Sequence, residues 1–563
     1  MTSAHFNRPA AGQTLAEPEP EQPLPCANFC SAIVAAAARH PQRLALSVPR
    51  AADGYRTAEQ LSYEQLLARA AQLQQGLLQA GLRQGDRVLL IAQPNLDLYA
   101  VILALLGLAM VPVLLDRGMS RARLLASMRL SGAQALLGER GLIKRWWLLP
   151  SLWRLKRLGL DGGCFGVQAL PRDSQPTAQG FRSVPVNVAS HGLISFTSGS
   201  TGLPKGADRT HASLTAQHLA IRQHWPDQDD DIDLPCFPVL VLHNLCCGIS
   251  TVLPATNLAL PGQVAPAAVL RQLQLDGITR IAGAPAYLQR LVSHAQSKGQ
   301  RYPGVRSLVV GGSTLSEQLL RDCLSVFPNA QALAVYGSTE AEPIAEVSMP
   351  ELLRDWHQQP GHLLGRPAEM AEVCIADPAQ PLSDAASVTR ASLPAGQLGE
   401  ILVAGAHVLQ RYVDNPSATA ESKIPRADGL VWHRTGDVGL FDAQGRLWLS
   451  GRLKDALRVD GQLHYSFPVE KALDALPGVR RSALISRDEE VKNAAADSEL
   501  LLVIEGELST GLPALLAEYG FAQVRLAQID SMPVDGRHNS KIDRPALREL
   551  ARKGRLELKA ICP

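Results

Sequence analysis

From Ala27 onward, stretches of helical periodicity alternate with short runs of β-branched and leucine-rich residues, such as Arg87-Val-Leu-Leu-Ile-Ala, Gly277-Ile-Thr-Arg-Ile-Ala-Gly and Ser307-Leu-Val-Val-Gly-Gly. Strands that alternate with helices assign the chain to the α/β class, with layered and largely parallel sheets. In such folds, ligands bind at the loops beyond the C-terminal ends of the strands. At 563 residues the chain exceeds one hydrophobic core and needs two or more domains. Residues 1–25, with Pro-Glu-Pro-Glu-Gln-Pro and no apolar core of a signal peptide, read as a disordered leader. The large N-terminal domain spans 26–453. Within it, about 372–450 changes to short strands such as Glu400-Ile-Leu-Val-Ala-Gly separated by Gly, Asp and Asn turns, a β-rich subdomain. Helix and strand patterns restart after Gly451-Arg452-Leu453, which gives a small α+β domain over 454–563, with the hinge at Leu453 to Asp455.

Lys and Arg total 55 against 53 acids, and a net charge of +2 gives no reason to expect a nucleic acid as partner. The nine cysteines are scattered without a CxxC pair, which suits a reducing, cytoplasmic setting. Cys26, Cys30, Cys246 and Cys247 read as core or loop residues. Leu98 to Leu115 is apolar for roughly a bilayer's thickness, but Pro112 interrupts it. It reads as a buried helix over about Leu96 to Leu108, then a buried strand, Met110 to Leu115, closed by Asp116.

The chemistry starts at Ile194-Ser-Phe-Thr-Ser-Gly-Ser-Thr-Gly-Leu-Pro-Lys-Gly206, a short apolar strand running into a loop. Gly199, Gly202 and Gly206 let backbone N–H groups approach an anion, Thr197, Ser198, Ser200 and Thr201 add hydroxyls, and Lys205 adds a charge. The spacing is not that of a P-loop, because Gly206 follows the lysine. Three further polar clusters stand where an α/β core would be apolar. Tyr336-Gly-Ser-Thr-Glu340 offers an aromatic face, a tight turn, hydroxyls and a carboxylate fit to stack a base, bind phosphate and hold Mg²⁺. Trp432-His-Arg-Thr-Gly-Asp437 offers a carboxylate for both hydroxyls of a ribose, and Asn539-Ser-Lys541-Ile-Asp-Arg544 lies in the small domain. Alone, Glu340, Asp437 or Lys541 would be an ordinary surface or capping residue.

Together with Gly451-Arg452-Leu453-Lys454-Asp455, these clusters resemble, in order and spacing, the motifs of the adenylate-forming superfamily: acyl-CoA synthetases, nonribosomal peptide adenylation domains and firefly luciferase. The resemblance runs from about Ala27 to Leu547. It implies a small domain that rotates about Lys454 as a lid, and joining of a carboxylate to ATP to give acyl-AMP and pyrophosphate. It implies that Thr197, Ser198, Ser200, Thr201, Gly202 and Lys205 hold the phosphates and that Glu340 ligates Mg²⁺. Tyr336 would stack on adenine beside Gly312, Gly337 and Thr339, while Asp437 and Arg452 would hold the ribose. Lys541 would bridge the attacking carboxylate and the α-phosphate. Gly311, Phe237 and His243 fall in the substrate pocket.

Val111-Pro-Val-Leu-Leu-Asp-Arg-Gly-Met-Ser-Arg, Asp233-Leu-Pro-Cys-Phe-Pro-Val-Leu, Tyr336-Gly-Ser-Thr-Glu-Ala-Glu-Pro-Ile-Ala and Met532-Pro-Val-Asp-Gly-Arg-His-Asn-Ser-Lys-Ile are similar to the β-lactone synthetases of bacterial olefin biosynthesis. That branch adenylates a β-hydroxy fatty acid, whose own hydroxyl then displaces AMP, so no CoA is required. Lys454-Asp455, His243-Asn244 and Ala207-Asp-Arg-Thr-His211 depart from its pattern. A ligase that loads CoA or a carrier protein stays open as an alternative, and so does a degenerate nucleotide-binding protein. His243 reads either as a general base or as a hydrogen-bonded pocket histidine. The expected partners are a lipid-like carboxylic acid and enzymes of the same pathway. Lys144-Arg-Trp-Trp-Leu-Leu-Pro-Ser-Leu-Trp-Arg-Leu-Lys-Arg157 mixes cations with three tryptophans, and reads either as a membrane-surface or lipid contact or as an insertion packed on the domain or a protein partner.

Overall fold

The computed structural model describes residues 27–51, 54–115, 120–172, 177–197, 204–256, 264–487, 499–521, 523–534 and 542–560. One seven-stranded sheet runs in the order Gln168–Ala169, Lys156–Gly159, Ala135–Gly138, Arg87–Ile91, Val111–Leu115, His191–Thr197, Lys205–Thr210. Its pairings are parallel except the last, a hairpin that sets Thr197 opposite Lys205. The second sheet has a parallel half, Leu44–Pro49, Ser250–Val252, Ile232–Pro235, Arg280–Gly283, Ser307–Gly311 and Gln331–Ser338. It continues without a break into antiparallel strands from Ala341–Ser348 to Leu447–Arg452. The antiparallel region therefore begins at Ala341, ahead of the change in composition near 372.

The apolar stretch divides as its sequence implies, into a helix Leu96–Gly107 and a strand Val111–Leu115. Asn95 starts the helix by accepting the Leu98 N–H at 2.9 Å, and Leu96 and Tyr99 to Gly107 are all buried between layers. No helix among the described residues is long and apolar enough to cross a membrane. In Gly277-Ile-Thr-Arg-Ile-Ala-Gly only Arg280–Gly283 is strand. The first part is a helix stop: Gly277, at φ +63°, takes the left-handed turn that follows the helix Pro266–Leu275.

After the turn Leu453–Asp455 come a short hairpin and a four-stranded sheet, Val479–Ser486, Leu500–Gly506, Val524–Ile529 and Leu558–Ala560, with the helices Ser466–Asp474, Leu512–Glu518 and Arg544–Arg552. This region has its own buried clusters, one around Leu473, Leu502 and Leu516 and one around Ile485, Val503 and Leu547. Asp455 is tied to Arg544 at 3.7 Å and Arg548 at 3.4 Å, so this turn is fixed to the last long helix. Lys471 reaches back to the large domain, donating to the carbonyls of Trp356 at 2.6 Å and Gly361 at 2.7 Å.

Candidate active site

A single cleft of about 2720 Å³ follows the C-terminal ends of the parallel strands of both sheets. Ala92, Cys236, Ala284 and Gly312 line it, each directly following a strand. This is where an α/β architecture places its ligands, because backbone groups at strand ends lie outside the ladder and point outward. Tyr336, Gly337, Thr339 and Glu340, at the hairpin between Gln331–Ser338 and Ala341–Ser348, form one rim. Lys205, Asp437, Arg452, Phe237 and Lys454 also face the cleft, as do Ile542 to Arg544 just after Lys541. Ser198, Ser200, Thr201, Gly202 and Lys541 lie outside the described residues, and Thr197 is placed by its backbone alone.

Asp437 and Arg452 lie opposite one another on the paired strands Val431–Phe441 and Leu447–Arg452. Arg452 Nε approaches Asp437 Oδ1 at 3.0 Å, and Tyr336 donates its hydroxyl to Asp437 Oδ2 at 2.7 Å. Tyr336 thus lines the cleft while its hydroxyl holds Asp437. The Asp437 carboxylate keeps the Arg452 guanidinium above its ordinary value, whereas burial first and Asp437 second push the Tyr336 phenol well up.

Glu340 sits in an environment that the sequence did not announce. Its Oε1 accepts the Tyr412 hydroxyl at 2.9 Å, and its carbonyl accepts the Leu409 N–H at 2.7 Å. Burial alone would raise its carboxyl; the neighbouring His433 and Lys423 and the Tyr412 hydrogen bond outweigh it, and the net movement is downward. Lys423 is 5% exposed, its Nζ has no hydrogen-bond partner, and it lies 5.8 Å from the centroid of the Tyr412 ring. Lys205 Nζ lies 5.1 Å from the same ring. Burial drives the Lys423 amine down to about 7 and the His433 imidazole down to about 3. His433 Nδ1 lies 3.2 Å from the Ser422 carbonyl, which requires Nδ1 to carry the proton. Two amines and a carboxylate are thus gathered around the Tyr412 ring.

The Ala207 to His211 run braces this region. Arg209 donates to Ser195 Oγ at 2.6 Å and to the Thr339 carbonyl at 3.0 Å, joining the hairpin His191–Thr197/Lys205–Thr210 to the Tyr336 turn. Asp208 is buried and takes His191 at 2.6 Å and Arg411 at 2.8 Å. Thr210 caps the helix His211–His224.

The model of the AMP-binding enzyme family matches residues 33–413. The chain belongs to the AMP-binding enzymes. It is 32% identical over 558 residues to an olefin beta-lactone synthetase of Stenotrophomonas maltophilia, covering 93% of this chain and 97% of that protein. It is 30% identical over 454 residues to a feruloyl-CoA synthase of an Amycolatopsis species, covering 79% of this chain and 84% of the other. Its fold matches O-succinylbenzoate coenzyme A synthetase from Bacillus subtilis in complex with ATP and magnesium ion, with a TM-score of 0.72, 19% identity, and 92% and 99% of the two chains covered. This AMP-binding enzyme is an adenylate-forming ligase.

Two expected pocket residues are placed elsewhere. His243 does not line the cleft: it is 2% exposed, with Nδ1 3.0 Å from His218 Nδ1 and Nε2 3.5 Å from Cys247 Sγ. On the helix Pro238–Cys247, Val239 and Leu242 face the cleft, and His243 falls about a quarter-turn round, above Cys247 at i+4. Gly311 ends its strand against Val335, and its neighbour Gly312, at φ +95°, turns into the cleft.

Proposed function

We propose that this enzyme uses ATP to adenylate a fatty-acid-like β-hydroxy acid and then closes the acyl-AMP to a β-lactone, releasing AMP. The observation that carries the reading is the continuity of the cleft. The polar rim of Tyr336, Glu340, Asp437 and Arg452 opens directly onto a wall of Tyr99, Ile102, Leu124, Met128, Phe237 and Leu242, which suits an acyl chain. The 32% identity to an olefin beta-lactone synthetase across nearly the whole chain favours lactone closure as the second step.

In the first step a carboxylate oxygen attacks the α-phosphorus and pyrophosphate leaves. Lys205, together with the buried Lys423 behind Tyr412, supplies positive potential where that charge develops. Glu340, kept ionised on the rim, would supply a carboxylate oxygen to a Mg²⁺ held there. When bound there, the ion neutralises phosphate charge. Asp437 would accept ribose hydroxyls in the place of, or alongside, the Tyr336 hydroxyl. By its motif, Lys541 would meet the carboxylate and the α-phosphate. In the second step the β-hydroxyl oxygen attacks the acyl carbon, the hydroxyl proton is lost and AMP departs. The nucleophile is tethered, so proximity replaces a second substrate.

A thioester is the competing product, favoured by the 30% identity to a feruloyl-CoA synthase. Mass spectrometry of products from plain and β-hydroxylated fatty acids, with and without CoA, tests the reading. AMP with a CoA-independent product one water lighter than the hydroxy acid supports it, and acyl-CoA as the sole product from both acid classes overturns it.

A further inference from the structure

The segment of tryptophans and cations folds as the helix Arg140–Ile143 and the short turns Trp146–Leu148 and Pro150–Leu152, next to the edge strands of the seven-stranded sheet. Half of its apolar residues are core. Ile143 and Leu152 are buried in a cluster with Met128 and Phe196, and Trp146, Leu149 and Leu155 pack against it. The other half points out: Leu142 is 39% exposed, Trp147 45%, Leu148 57%, Trp153 57% and Phe165 81%. Every large exposed aromatic among the described residues lies here, whereas the large exposed apolar side chains elsewhere are leucines spread along the chain.

These outward rings are held in place. Trp147 meets Phe165 edge to face at 6.3 Å, and the Trp153 indole donates to the Trp147 carbonyl at 3.0 Å. The Trp146 indole donates to the Phe165 carbonyl at 2.9 Å, and the Arg157 guanidinium covers the Trp146 ring at 3.8 Å. The surrounding charge has one sign. Residues 140–166 hold Arg140, Lys144, Arg145, Arg154, Lys156 and Arg157 against the single acid Asp161, in a chain whose net charge is +2. Arg140, Lys144, Arg145 and Arg154 are exposed.

We infer that this face is a docking surface for an anionic lipid bilayer. Rigid tryptophans and a phenylalanine supply the part that enters the headgroup boundary, and the ring of cations complements anionic headgroups. The surface also adjoins the cleft. Ser151 Oγ lies 3.9 Å from Met128 Sδ, and the helix Arg121–Leu130 that carries Met128 gives Arg123, Leu124 and Met128 to the cleft wall. One helix thus separates the lipid contact from the proposed acyl wall. Uptake of the acid from the bilayer rests on the proposed function; the contact itself does not.

The test is co-sedimentation of the full-length protein, without substrate, with phosphatidylglycerol–phosphatidylcholine vesicles and with pure phosphatidylcholine vesicles. The wild type is expected to bind the anionic vesicles with a salt-sensitive affinity and to show a blue shift of tryptophan emission. Trp147→Ser with Trp153→Ser, and separately Lys144→Glu with Arg145→Glu, are expected to weaken binding about tenfold or more. Both variants should keep wild-type ATP–pyrophosphate exchange with a short, soluble acid, which shows that they are folded. Absence of wild-type binding to anionic vesicles, variants that bind as tightly as wild type, or a protein dimer that dissociates in the Trp variant while vesicles are ignored would each overturn the inference. Vesicle binding is read without catalysis, so its failure is separate from failure of the lactone reading.

Discussion

Replacing Lys423 by Met should make the ligand-free enzyme more stable and a poorer catalyst. The ammonium is buried without a hydrogen-bond partner, and its fall from 10.5 to about 7 converts, at about 1.4 kcal/mol per pH unit, to about 5 kcal/mol set against the charged folded form. That figure already contains the attraction of Glu340. Met fills a similar volume without a charge, at a repacking cost below about 1.5 kcal/mol, so a net stabilisation of about 3–5 kcal/mol at pH 7 follows. The sign with pH is fixed. The folded state binds fewer protons than the unfolded state between about 7 and 10.5, so the penalty is present in full below that window and fades as pH rises through it. Urea unfolding of wild type and Lys423→Met, followed by tryptophan emission at several pH values, reads the gap; ATP–pyrophosphate exchange, expected to fall about tenfold or more, reads the function. A variant less stable than wild type at pH 7, or a gap that does not shrink toward pH 10, would refute the reasoning.

Glu340→Gln should raise the Mg²⁺ concentration needed for half-maximal pyrophosphate exchange by about tenfold or more, and an unchanged Mg²⁺ titration would remove Glu340 from the metal site. Burial drives His211 down to about 4 while its Nδ1 accepts the Phe29 N–H at 3.1 Å. The stability this neutral histidine contributes is complete above pH 6.5 and is lost as pH falls toward 4, by about 3 kcal/mol. His211→Gln should flatten that part of the stability–pH curve measured by urea unfolding. Lys471→Met removes the two hydrogen bonds to the Trp356 and Gly361 carbonyls. It should speed proteolysis of the turn at Leu453–Asp455 several-fold by freeing the small domain.

The polar clusters were legible because they stand as short polar runs where an α/β core would be apolar. Tyr336, Glu340, Asp437 and Arg452, up to 116 positions apart in sequence, face one cleft. Lys423, Tyr412 and His433 were not legible. Lys423 sits in a three-residue strand, Lys423–Pro425, after a polar helix, where a lysine ordinarily faces solvent. Only its packing behind Tyr412 brings it close to Glu340. The side of the helix Pro238–Cys247 that faces the cleft was equally hidden, because Leu240, Val241, Leu242, Leu245 and Cys246 are all buried and apolar all round it. With no polar face to set the phase, His243 was as easily placed in the cleft as behind it. Arg209 and Asp208 belong to the run that departs from the β-lactone branch's pattern, and the structure uses them as braces.

Oxygen tracing tests the central claim most directly. The β-hydroxy acid is supplied with both carboxylate oxygens labelled with oxygen-18, and AMP and product are analysed by mass spectrometry after reaction without CoA. The account predicts one labelled oxygen in AMP, carried over when the carboxylate attacks the α-phosphorus, and one in a product lighter than the acid by one labelled water. Unlabelled AMP, or the free hydroxy acid recovered in place of the lactone, would contradict it.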